Sequence, residues 1–163
     1  MTDMVVLVFD SENAADQGRP RLAELNRNYP LDLIDAVEVV RHTDGKFKVK
    51  NIRNITGTGG LDGAFWGLVF GLLFFLPFYG IPVGAVSATM GSHFTHFGIG
   101  KDFITEIENA VTPGTSALAF IGSVVGVHKA TQALSELHPK VISSSLSSEQ
   151  EDRLHEAFAS HSE

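Results

Sequence analysis

From Gly63 to Gly100 the sequence GAFWGLVFGLLFFLPFYGIPVGAVSATMGSHFTHFGIG runs for thirty-eight residues without an Asp, Glu, Lys or Arg. A 163-residue chain has little interior in which to hide that many apolar side chains alone. Large apolar surface left over marks contact with protein or with membrane. The stretch also has a period. Gly59, Gly63, Gly67 and Gly71 fall four apart, and Gly84, Ala88, Ser92, His96 and Gly100 repeat the step after FLPFYGIP. In a helix, residues four apart share a face, so each arm carries a ridge of nearly bare backbone. Small residues at this spacing are typical of closely packed membrane helices.

Pro77, Gly80 and Pro82 supply a turn between the two arms. Residues 57–100 are therefore expected to form an apolar glycine-zipper helical hairpin. Its packing and oligomer interface would consist of Gly59, Gly63, Gly67, Gly71, Gly84, Ala88 and Ser92. Phe65, Trp66, Phe70, Phe74, Phe75, Phe78 and Tyr79 are the candidates for lipid or other apolar contact. At ~1.5 Å per residue the arms reach roughly 27 and 22 Å, against a hydrocarbon core of ~30 Å. That length suits a hairpin that spans, that dips into lipid, or that other subunits cover.

The flanks read as ordinary α+β protein. MVVLVF (Met4 to Phe9) is an unbroken apolar run too short for a typical helix and is expected to be a central strand. A helix should follow to about Asn26, kinked or split by Gly18 and Pro20. LIDAVEVVRH and KFKVKNI, joined through Asp44-Gly45, predict a β-hairpin with Lys46, Lys48 and Lys50 on its wet face. Beyond the apolar run, KDFITEIENAV predicts a helix with Phe103, Ile104, Ile107 and Val111 on one face. A strand from Ser116 to Val125, a helix over VHKATQALSELH, the strand KVISSSL and a last helix from Ser147 or Ser148 complete the order.

The first six of these elements, β-α-β-β-α-β, match the ferredoxin-like (split βαβ) plan, an antiparallel sheet with helices on one face. The fold expected is that sheet, formed by residues 1–56 and 101–163, with the hairpin 57–100 inserted and an αβα extension at the C-terminal end.

A formal net charge of -7 argues against nucleic acid as a partner, since phosphate binding relies on clustered Lys and Arg. The absence of cysteine excludes disulfides, thiolate metal sites and cysteine nucleophiles. MTDMVVLVFD has no basic segment and no small-residue cleavage site, so no signal peptide is read. Lys46, Lys48, Lys50 and Arg53 lead into the hairpin, and the positive-inside rule would put that side in the cytoplasm.

His93 and His96 stand at metal-ligand spacing, but no carboxylate between Gly63 and Gly100 completes a site. Hydrogen bonds from helix-end histidines to neighbouring chains, and capping or a solvated mouth for Asp62, are the leading readings; together Asp62, His93 and His96 also form a candidate polar or pore site. TGTGGLDG lacks the Lys-Ser/Thr of a phosphate loop, and the serines of ISSSLSSEQ have no partnered His and Asp. No catalytic constellation, metal site or cofactor is expected.

VVLVFD, GTGGLDGAFWGLVFGLLFF, KDFITEIENAVTPGTSALAFI and KVISSSLSSEQEDRLHEAF together resemble a bacterial family of unknown function whose members are labelled predicted membrane proteins. The resemblance implies a bacterial origin and a small α/β domain with an inserted glycine-zipper hairpin. It implies no activity. The expectation is a non-enzymatic homo-oligomer associated with lipid or membrane, its soluble part in the cytoplasm, self-associating through the hairpin into a ring or closed shell. A ligand-binding or sensor module and a small pore or ion pathway stand as alternatives.

Overall fold

The computed structural model describes residues 2–52, 55–56, 63–71, 73 and 100–146. Over these residues the chain forms a five-stranded antiparallel sheet packed with four helices. In chain order the elements are β1 (Thr2–Phe9), α1 (Ala14–Asn28), β2 (Asp35–Arg41), β3 (Phe47–Asn51), α2 (Ala64–Phe70), α3 (Lys101–Ala110), β4 (Thr115–Ser123), α4 (Val124–Ala133) and β5 (Lys140–Leu146).

The sheet order is β3-β2-β4-β1-β5. The neighbours of β1 are β4, with Val5 opposite Phe120, and β5, with Val5 opposite Ser143. The two β-α-β crossovers are thus β1-α1-β2, which straddles β4, and β4-α4-β5, which straddles β1. This reassigns the elements expected from the sequence. The β2-β3 hairpin does not sit at the sheet centre, because β4 takes the place beside β1 and leaves β3 as an edge. Nor is β5 an appendage, since it pairs with β1 from Thr2↔Leu146 to Val8↔Lys140.

Helices cover both faces of the sheet, not one. Met4, Val6 and Val8 point into a core with Val37, Val39, Ala117, Ala119, Ile121 and Ile142, roofed by α2 and α3. Val5, Leu7 and Phe9 point the other way, to Leu118 and Phe120, roofed by α1 and α4. A strand wet on one face alternates, whereas one buried on both reads as a continuous apolar run, as β1 does. Residue size is matched across β4. Ala117 and Ala119 face the layer that holds Phe65, Trp66, Phe70 and Phe103, whereas Leu118 and Phe120 face the layer of Ala15 and Ala130.

Local chemistry sets the element ends. α1 is continuous from Ala14 to Asn28 with Pro20 inside it, so the expected split is absent. Gly18 serves packing here: a Cβ on it would come within 2.9 Å of Leu134 and 3.2 Å of Leu118. Ser116 Oγ accepts from Ala15 N at 3.1 Å and donates to Ser11 O at 2.6 Å, tying the start of α1 to β4. β4 stops at Ser123, two residues before its expected end, because the Ser123 side chain accepts from Gly126 N and caps α4. The last expected helix lies outside the described residues.

Candidate functional site

Residues 63–73, which the sequence assigns to the inserted hairpin, share the core with the sheet. α2 lies over β2 and buries Phe65, Trp66, Val69 and Phe70, followed by Leu73. Trp66 is at the centre, edge-on to Phe65 with ring centroids 4.9 Å apart and 5.9 Å from Phe70, which in turn lies 5.9 Å from Phe47. Burying each such side chain contributes roughly 1.5–3 kcal/mol relative to exposure. That outweighs the cost of Trp66 Nε1, which has no hydrogen-bond partner among the described residues.

One carboxylate fastens the start of this helix. Asp35, the first residue of β2, is fully buried; its Oδ1 accepts from Gly63 N at 2.6 Å and its Oδ2 from Trp66 N at 3.0 Å. Desolvation pushes its pKa above the ordinary aspartate value, and the amides of Trp66, Gly63, Ala36 and Phe65 offset part of that rise. Gly63 turns the chain into the helix with φ +84°, and a Cβ there would collide with Asn51 Oδ1. Positive φ and close approach together require glycine at this position.

The outer side of α2 is different. Gly67 and Gly71 are half-buried, and no described atom lies within 4 Å of a Cβ built on either. With the aromatics turned inward, the two glycines one helical turn apart lie on the side away from the sheet.

On the opposite face of the sheet a polar cleft of about 270 Å³ opens between α1 and the β2-β3 edge. β2 gives Glu38 and Val40, His42 follows it, β3 gives Lys48 and Lys50, and the α1 end gives Glu12, Asn13 and Asp16. Glu38 is 1 % exposed and meets Arg19 Nη1 at 3.4 Å. Burial and then the nearby Asp16 raise its pKa, while Arg19 and Lys50 lower it. His42 Nδ1 donates to Glu12 Oε1 at 2.6 Å. Such a cleft can hold a small polar molecule, but it pairs no nucleophile with a base.

Of the sequence-predicted residues, Gly63 is a buried turn glycine, Gly67 is on the side of α2 away from the sheet and Gly71 follows the helix, and Phe65, Trp66 and Phe70 are apolar contacts inside the chain's own core. Gly59, Asp62, Phe74, Phe75, Phe78, Tyr79, Gly84, Ala88, Ser92, His93 and His96 lie outside the described residues. Of the lysines expected to lead into the hairpin, Lys48 and Lys50 lie on the α1 side of the sheet, where Lys50 is opposite Glu38 and Lys48 opposite Val40, whereas α2 packs on the other face. Among the described residues no group of three or more His, Asp or Glu is placed to hold a metal ion. None of their helices is long and apolar enough to cross a membrane.

Sequence reasoning missed Asp35 and Glu38. The available signal was an acid at each parity of the apolar run LIDAVEVV, which puts one carboxylate on each face of a strand buried on both. No curated protein and no solved structure matches the chain. A family model described as "Protein of unknown function (DUF1269)" matches residues 60–159, from just before α2 to beyond β5. That match covers more than half of the 163 residues, and the chain belongs to the DUF1269 family.

Proposed function

We propose that the protein is a non-enzymatic, self-associating assembly protein of bacterial origin, bound to lipid or membrane with its sheet domain on the cytoplasmic side. In this reading the interleaved β-α-β units form a ferredoxin-like base, and the charge-free run beginning at Gly63 is the assembly element. The observation that carries it is the division of this segment: the aromatics of α2 packed inward on the sheet, and Gly67 and the following Gly71 with no described side chain against them. A helix that buries its aromatics and is marked by glycine at every fourth position is suited to close approach by a second helix.

The Gly67→Leu/Gly71→Leu double variant tests this. Both sites have room among the described residues, so the fold is expected to persist by circular dichroism while native mass spectrometry shows the oligomer reduced to smaller species. An oligomer of unchanged mass would remove the glycine ridge from the account.

The cleft beside Glu38 favours a second reading, a module that binds a small polar ligand with the α2 helix as an interface only. Ligand-dependent shifts in the amide resonances of Lys48 and Lys50, lost in Glu38→Gln, would favour it. A ligand panel without such shifts would count against it.

A further inference from the structure

We propose that the outer edge of β5 is a self-pairing surface, joining two copies of this chain through an antiparallel β5-β5 ladder about a two-fold axis at Ser143. The surface is separate from α2, which packs over β2, three places along the sheet from β5.

The sheet has two edges, β3 and β5. An edge strand presents unpaired N–H and C=O groups that a further strand can take up, and natural sheets block this with charged side chains, proline or bulges. β3 is blocked. Laid antiparallel on a copy of itself about Val49, it would set Lys48 opposite Lys50 twice, and like charges directly opposite are destabilising. β5 has no such device. It pairs with β1 without a bulge from Thr2↔Leu146 to Val8↔Lys140, and from Val141 to Leu146 it contains neither charge nor proline. Among the described residues no strand occupies its other side.

Length and charge select a second copy as the occupant. Only an antiparallel copy centred on Ser143 pairs every residue of β5: Lys140 with Leu146, Val141 with Ser145, Ile142 with Ser144, and Ser143 with itself. No two charges meet, because the two Lys140 ammonium groups lie at opposite ends of the ladder. Val141, Ser143 and Ser145 are opposite Leu7, Val5 and Asp3 of β1, so they share one face, and all three are exposed. Val141, 50 % exposed, is one of four large apolar side chains left open to water among the described residues. The two-fold sets the two strips side by side, so that each Val141 gains a neighbouring strand. Such an isologous contact closes at two copies. Together with the contact proposed at α2 it gives each chain two self-surfaces, through which dimers can join into larger assemblies.

The chain has no cysteine, so one introduced thiol reports the geometry. Opposed residues of an antiparallel pair have Cα atoms about 4.5–5.5 Å apart, within disulfide reach, whereas residues four positions out of register are separated by about 13 Å. Under mild oxidation the full chain carrying Ser143→Cys is expected to become a covalent dimer, and Val141→Cys to remain uncrosslinked, with circular dichroism showing both folded. The crosslink should form equally in the Gly67→Leu/Gly71→Leu background, which separates this edge from the contact at α2. No crosslink at Ser143→Cys, as when another segment of the same chain occupies the edge, overturns the proposal, and so does equal crosslinking of the two variants. If a cysteine variant does not fold, charge decides. In the Gly67→Leu/Gly71→Leu background, Ser143→Lys and Ser143→Glu should each be monomeric by native mass spectrometry, and their mixture should regain the dimer. A dimer in either alone, or no recovery on mixing, overturns the proposal.

Discussion

Gly63, Gly67 and Gly71 share one period in the sequence but have different physical roles. Gly63 is fixed by positive φ and by Asn51, so Gly63→Ala should cost roughly 1–3 kcal/mol, read as a lower urea midpoint. Gly67 is inside α2, with no described atom within 4 Å of a Cβ built there. Gly67→Ala should leave the fold unchanged or stabilise it by up to about 1 kcal/mol while weakening self-association. Destabilisation by Gly67→Ala as large as that of Gly63→Ala would mean that the two glycines act alike. The four-residue spacing announced a helix face but could not reveal this distinction, because it depends on Asn51 arriving from β3. Asp35 was equally hidden, since its amide partners are 28 or more positions away.

At the scale of elements, α2 belongs to the fold as much as to the insertion. Removing Leu61 to Gly98 would delete Phe65, Trp66, Val69, Phe70 and Leu73 from the core. At roughly 1.5–3 kcal/mol for each side chain, that loss rivals the whole stability of a typical domain, about 5–15 kcal/mol. Such a truncation should show no cooperative unfolding transition; a cooperative transition close to that of the full chain would contradict the packing described here. Element types were legible because they rest on local period: the apolar run of β1, the alternation in β3, and Phe103, Ile104 and Ile107 on α3. Strand neighbours were not. Both β3 and β4 are antiparallel partners that β2 accepts, and the choice of which lies beside β1 is made by helix packing on two faces. The continuous run of β1 already indicated burial on both sides, a signal at odds with helices on one face only.

For the whole molecule, two acids face opposite layers of one buried sheet, and both have raised pKa values. A carboxyl whose folded pKa lies above its unfolded value binds its proton more tightly when folded. Its contribution to stability is fully present below the unfolded values, 3.8 for Asp35 and 4.5 for Glu38, and is lost as pH rises through the raised folded values. The urea midpoint should therefore fall between mildly acid and neutral pH, and Glu38→Gln should flatten part of that fall; an unaltered slope would show that Glu38 does not contribute. Gly67 and Gly71 have no described side chain against them, and the proposal that a second helix takes that place makes assembly the central claim. Its most direct test is mass photometry on the full chain purified without detergent, with lipid extracted from the same fraction and identified. The account predicts a large, uniform, lipid-containing particle; a monomer free of lipid would contradict it.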